Sequence, residues 1–201
     1  TRYDDLLEVS RDTATFSSAQ GITLEEMVPE DFEARRNMLE YDRPEHTRYR
    51  RLVSRPFSRP AVYAYENAIR LLARTVLDES LAPGVSSVEF VETVAKQLPM
   101  RMLGRLLGVP DEDGPHLVEL GDALLGNFDP EMTQFPIDLV DTDEFRSMPF
   151  RSPAGLELYR YAEDQARLRS ECPMHDVINT LLQPATDGEH LTDRQFKNFF
   201  V

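Results

Sequence analysis

Asp42-Arg43-Pro44-Glu45-His46-Thr47-Arg48-Tyr49-Arg50-Arg51-Leu52-Val53-Ser54-Arg55-Pro56-Phe57-Ser58-Arg59 is the stretch on which the rest of the chain depends. Its opening predicts a helix start. Asp42 is placed to cap, Pro44 falls in the first turn, where a missing N–H costs nothing, and Glu45 stands three residues after the cap to bond back. Pro56 predicts the end. Between those limits His46 and Arg50 are four apart and share one face, while Arg48, Arg51 and Arg55 form a second basic row. Five arginines and no acid lie between His46 and Arg59, in a chain of formal net charge -14. Positive charge held against that balance suggests an anion. His46 through a ring N–H and Arg50 through its planar fork could grip a carboxylate or phosphate. The second row could steer an acidic partner. A solvated basic face is the bland alternative.

Composition bounds the rest. With 201 residues and 41% hydrophobic content the chain can bury a sizeable core, as one domain or a large piece of one. A pI near 4.7 argues against a general nucleic-acid binder, which needs a broad basic surface. The single cysteine, Cys172, excludes an internal disulfide and fits a reducing compartment. No apolar run is long enough to cross a bilayer and no leader precedes the first helix, so the expected setting is the cytoplasm. Both ends read as cut, since the chain opens already in a helical pattern and closes on Phe199-Phe200-Val201 with no stop signal.

Other chemistries find little support. The nine glycines form no phosphate loop, and no G-x-S-x-G is present. His46, His116, His175 and His190 are dispersed; Asp113-x-x-His116 and Cys172-x-x-His175 offer two ligands each where a structural zinc wants four, so no metal site is expected. Cys172 lies in a polar helix-end context and reads as a plain free thiol.

Periodicity predicts a mainly α chain. A short helix covers Asp4 to Ser10, and another lies around Asp31 to Leu39 within an acidic loop from Gly21 to Glu40. Val62, Tyr65, Ile69, Leu72 and Val76 draw one apolar stripe that runs to Pro83-Gly84. Ser86-Ser87 precede Val88 to Val91, which is either a short strand or the entrance to the next helix. A second stripe runs from Val91 to Leu106, where Pro99 should start, kink or divide the helix. Asp111-Glu112-Asp113 opens a helix through Leu125. Gly126 to Pro153 is a long loop, of the kind that more often serves as a lid or binding segment, and Phe128, Met132, Phe135, Phe145, Met148 and Phe150 suggest an apolar ligand there. Helices then cover Pro153 to Ser170 and Asp176 to Gln183. A turn at Asp187-Gly188 leads to a last helix capped by Thr192.

Asp42 to Val53, followed by Phe57-Ser58, resembles the helix that bacterial cytochrome P450 monooxygenases lay across one edge of the haem. Leu98-Pro99 and Leu106-Leu107-Gly108-Val109-Pro110-Asp111-Glu112-Asp113 are similar to that family's middle helix and its exit. Asp187 to Asp193 with Phe199-Phe200 resembles the opening of the long central helix, and Phe16-Ser17-Ser18 also fits. Arg43, where the family more usually has a second proline, and Tyr41, in place of a common apolar residue, are departures that touch neither anion ligand. The resemblance implies part of one cytochrome P450 domain over residues 1–201, from about the second helix to the start of the central one. The leading sheet strands, the acid-threonine pair and the cysteine that ligates iron lie outside the chain. It further implies that His46 and Arg50 bond the haem propionates, and that Arg48, Arg51 and Arg55 face an electron donor, often an acidic ferredoxin. The implied activity is a haem-thiolate monooxygenase using dioxygen and two electrons to hydroxylate a small apolar molecule, a terpenoid, steroid or branched lipid. The rival reading is a non-catalytic all-α interaction module whose arginine helix binds an acidic partner.

Overall fold

The computed structural model describes residues 2–23, 27–137, 139–184 and 188–201, and among them are helices and turns and no strand. Helices α1 (Tyr3–Arg11), α2 (Pro29–Arg35) and α3 (Glu45–Val53) are followed by α4 (Arg59–Ala64), α5 (Glu66–Ser80) and α6 (Gln97–Leu107). Next come α7 (Gly114–Leu125), α8 (Pro153–Glu171), α9 (Val177–Leu182) and α10 (Asp193–Phe200). The mainly α expectation holds. Asp187 of the expected Asp187-Gly188 turn falls outside the described residues.

The core is built around α8. Ala154, Leu158 and Ala162 recur every four residues, so they form one stripe down that helix. Its upper part packs on Leu120 and Leu124 of α7. Ala162, fully buried, meets Val177, Ile178 and Leu181 of α9, Phe196 of α10 and Val109. A small side chain at the crossing lets these helices approach closely. The α5 stripe buries Leu72 and Val76, whereas Val62 is half exposed. The stripe is also divided in the structure, at Tyr65. There the N–H of Tyr65 closes a tight turn on the Val62 carbonyl while its own carbonyl accepts the N–H of Ile69 and starts α5.

Several elements differ from their sequence-based expectation for local reasons. The segment from Ser86 contains no strand and enters a π turn at Val91–Ala95, with the Lys96 N–H on the Val91 carbonyl at 2.9 Å. Pro99 follows as the third residue of α6, where it has no N–H for the carbonyl of Ala95, and the wide turn absorbs the mismatch. The helix expected around Asp31 to Leu39 breaks after Arg35. Asn37 interrupts it by capping a separate 3-10 turn, Met38–Glu40, in a capping box with Glu40.

A buried ion pair ties three elements together. Arg169 near the end of α8 and Asp176 at the cap of α9 are 1% and 5% exposed, with Nη2 2.9 Å from Oδ2. The same Nη2 donates to the carbonyls of Leu107 and Gly108, and Nη1 donates to Gln165. Asp176 also accepts from the backbone N–H of Asn179. Gly108, at φ +75°, ends α6 with its N–H on Arg105 and the next N–H on Gly104. All the donors and acceptors of this pair are engaged, the condition under which a buried ion pair is tolerated.

Candidate functional site

The basic helix keeps its faces but not its cap. The carboxylate of Asp42 accepts from the Ser17 hydroxyl and the Ser18 N–H, so it does not cap α3, and Pro44 takes that position without a side-chain bond. These bonds, the Ser17 hydroxyl first, hold the Asp42 carboxyl below the usual carboxylate range, with His46 nearby adding to the effect. The expected Asp42–Glu45 capping box is therefore absent. A serine pair 24 and 25 positions earlier in the chain takes the cap's side chain. The helix stops at Val53, before Pro56. Arg55 thus lies in the following turn and not on a helical row with Arg48 and Arg51.

Within α3, Tyr49 is buried and anchors the helix. It stacks on Tyr41 at 5.0 Å between ring centroids and tilts against Phe199 of α10 at 6.4 Å. His46 is half-buried and Arg50 is exposed. With i, i+4 spacing they share one face beside Tyr49. Among the described residues the Arg50 guanidinium makes no hydrogen bond or ion pair. Arg48 lies 5.9 Å from the centre of the Tyr49 ring. Arg51 and Arg55 are exposed.

The segment that feeds α3 also walls a large cleft. Asn37, Met38 and Leu39 on one side meet Met100, Leu103, Gly104 and Leu107 of α6, then Leu117, Gly121, Leu124 and Leu125 of α7. Pro149, Phe150, Leu158 and the end of α10 from Asn198 to Val201 complete a cavity of about 440 Å³. Its lining is almost wholly aliphatic and aromatic, and the amides of Asn37 and Asn198 are hydrogen-bonded to protein. An added Cβ at Gly104, Gly114 or Gly121 would meet no atom within 4 Å, so these glycines leave open room along the wall. Leu125 and Leu39 are 73% and 57% exposed, which leaves this face a broad apolar surface.

Of the six apolar residues expected in the long loop, Phe150 alone reaches the cleft. Phe128 and Met132 are about half exposed, and Phe135 packs edge-on against Phe145 at 5.9 Å. Phe150 and Arg151 both stand at positive φ, 52° and 51°, and the buried Asn127 amide holds the Phe150 carbonyl at 2.7 Å. Two consecutive non-glycine residues in that region are strained, and surrounding bonds must hold them. His46 and Arg50 do not line the cleft; α3 borders it through Met38–Glu40, against which it packs, and through the contact of Tyr49 with Phe199.

The remaining sequence candidates have structural partners. Asp113 accepts from the Tyr161 hydroxyl at 2.7 Å, and His116 Nε2 lies 2.9 Å from Glu157 Oε1. Cys172 is exposed at the end of α8. Among the described residues no three His, Cys, Asp or Glu side chains converge to hold a metal, and no helix is long and apolar enough to cross a membrane. Reading by motif missed Asn198 and the Arg169–Asp176 pair. The available signal for Asn198 was its i, i+4 spacing from Arg194, which puts two donors on one face of α10.

The arrangement has close parallels among solved structures. A Mycobacterium marinum cytochrome P450 in complex with pseudoionone superposes on the whole chain with TM-score 0.83 at 31% identity. The chain has part of the cytochrome P450 fold. The ligand-free cytochrome P450 TbtJ1 matches 98% of the chain with TM-score 0.71 at 28% identity. Among curated proteins, the steroid C26-monooxygenase of Mycobacterium bovis is 35% identical over 206 residues, and the methyl-branched lipid omega-hydroxylase of the same organism 29% over 202. Each alignment takes in all of this chain. The chain spans 44% of those two curated relatives and 46% of the two solved structures, less than half of each. No protein-family model matches it.

Proposed function

We propose that this chain is the part of a haem-thiolate monooxygenase that grips one edge of the cofactor and walls the space for an apolar substrate. The observation that carries the reading is the aliphatic and aromatic cleft of about 440 Å³, bounded by the same Asn37–Leu39 segment that delivers the chain into α3. A cavity of that size and lining suits a small apolar ligand. The names of the relatives narrow the class to a steroid or a methyl-branched lipid, hydroxylated on its alkyl chain.

The donor chemistry of α3 fits a haem. Arg50 offers a guanidinium with no protein partner among the described residues, and His46, on the same face, offers a ring N–H. Together they suit two carboxylates, with the arginine fork able to bind one of them bidentately. Tyr49, fixed between Tyr41 and Phe199, keeps that face oriented. Haem, when bound through a cysteine outside this chain, supplies the oxygen chemistry by which dioxygen, two electrons and two protons convert a C–H bond to C–OH and water. The chain's own residues hold the cofactor's carboxylates and exclude water from the apolar wall. Arg48, Arg51 and Arg55 steer a ferredoxin or similar acidic donor.

The test uses the complete protein. Arg50→Ala should lower haem occupancy and Soret absorbance per polypeptide; unchanged occupancy would remove His46 and Arg50 from the cofactor's edge. Arg51→Glu should slow reduction by the donor with haem content intact, and a normal reduction rate would refute the docking face. A red-shifted band in the reduced carbon monoxide spectrum distinguishes this reading from an arginine-helix interaction module.

A further inference from the structure

The wall of the cleft that carries Met38 and Leu39 is not held by its own sequence neighbourhood. Helix α2 ends at Arg35, and the last carbonyls of a helix have no partner within it. Here α10 supplies the partners. The Asn198 amide donates to Ala34 O at 3.2 Å and to Arg36 O at 2.9 Å, and Arg194 Nη1 donates to Ala34 O at 3.1 Å. The remaining Asn198 atom, Oδ1, accepts from the Tyr159 hydroxyl of α8. Asn198 is buried, its two N–H groups face carbonyls and its oxygen faces a hydroxyl, so the network defines the orientation of the amide. Burial pushes the Tyr159 phenol up to about 12, which keeps it a donor.

We infer that Asn198 is a positioning residue that fixes the substrate-facing wall Asn37–Leu39 by capping the end of α2 from α10, with Tyr159 holding its amide in register. The inference rests on the proposed monooxygenase reading for its ligand, though not for the latch itself. Arg194 shares the bond to Ala34, but it is Asn198 that holds Arg36; Phe199 reaches α3 through Tyr49, and Lys197 points to Glu163 and Asp193. Because Arg36 also donates to the Glu40 carbonyl and lies 4.1 Å from the centre of the Tyr41 ring, the latch reaches both ends of the wall. Its loss should loosen the wall more than the helix that carries His46 and Arg50, which Phe199 still holds through Tyr49.

The experiment compares Asn198→Leu and Tyr159→Phe in the complete haem-loaded protein. The first removes both donors and the acceptor; the second removes only the clasp and keeps the ring. Amide exchange over residues 37–40 should rise about tenfold in Asn198→Leu and about threefold in Tyr159→Phe, with α5 unchanged. In spectral titrations the Kd for 4-phenylimidazole, whose phenyl ring needs apolar space that imidazole does not, should rise about tenfold in Asn198→Leu, while that for imidazole stays within about twofold. Unchanged exchange over residues 37–40 in both variants overturns the inference, as does equal weakening of both probes, which would place the effect at the haem. If Asn198→Leu fails to fold, Tyr159→Phe alone decides. A wild-type protein without a Soret band refutes the proposed function, and the exchange measurement still decides the latch.

Discussion

Replacing Gly108 by alanine tests how the fold is tied at the end of α6. Gly108 has φ +75°, and a Cβ there would overlap Asp176 Oδ2 and stand 2.7 and 2.8 Å from its Cγ and Cβ. The backbone effect alone is about 1–2 kcal/mol for a residue with a side chain in the left-handed region. The steric effect is larger. Asp176 must withdraw from Arg169, which is 1% exposed, and breaking a buried pair costs about 3–5 kcal/mol. Gly84 provides the matched control, since it stands at φ +93° with no atom within 4 Å of an added Cβ. In urea unfolding of the complete protein, Gly108→Ala should therefore lose about 3 kcal/mol or more beyond Gly84→Ala. In an Asp176→Gly background the excess should vanish, because every atom being pushed, Cβ included, is gone. Equal losses for the two glycines, or an excess that survives without Asp176, would refute the account.

Two further outcomes follow from buried polar groups near the cleft. Burial raises the Glu40 carboxyl above its ordinary value of 4.5, against the lowering effect of the Asn37 N–H and of Arg35 and Arg36. A raised acid contributes stability that is complete below its unfolded value and is lost as pH rises through the folded one. Wild type should accordingly lose stability relative to Glu40→Gln as pH rises from about 4 to 7; a difference constant over that window would show that burial does not govern this carboxyl. Asn127→Ala should cost about 1–2 kcal/mol and speed amide exchange at Arg151 and Ser152, because the amide holding the strained Phe150 carbonyl is removed. Unaltered exchange there would mean that Phe150 and Arg151 are held by other contacts.

What was legible in the sequence was local. Thr192 caps α10 in a box with Gln195, and Asp111 to Asp113 open the way into α7, because each signal and its partner lie within one turn. Gly108 stops its helix for the same reason. The Asp42–Glu45 box failed because Ser17, distant in sequence, competes for the same carboxylate. Arg169 gave no local signal, since its partners Leu107 and Gly108 are 62 and 61 residues away. The loop aromatics gave too broad an expectation, because composition cannot tell Phe150, pinned into the cleft, from Phe128, which is half exposed. The His46 and Arg50 spacing was visible from the start, while the Asn198 latch depended on knowing where α2 ends.

The open glycines along the cleft carry an evolutionary consequence. A glycine inside a helix is less favourable than alanine by roughly 0.5–1 kcal/mol. Gly104 and Gly121 accept that disadvantage in α6 and α7 while facing empty space. Alanine at either site would strengthen its helix and narrow the chamber by one methyl, with no neighbour obliged to move. The shape of the cleft can therefore change by small steps along its wall, decoupled from the core that keeps the protein folded.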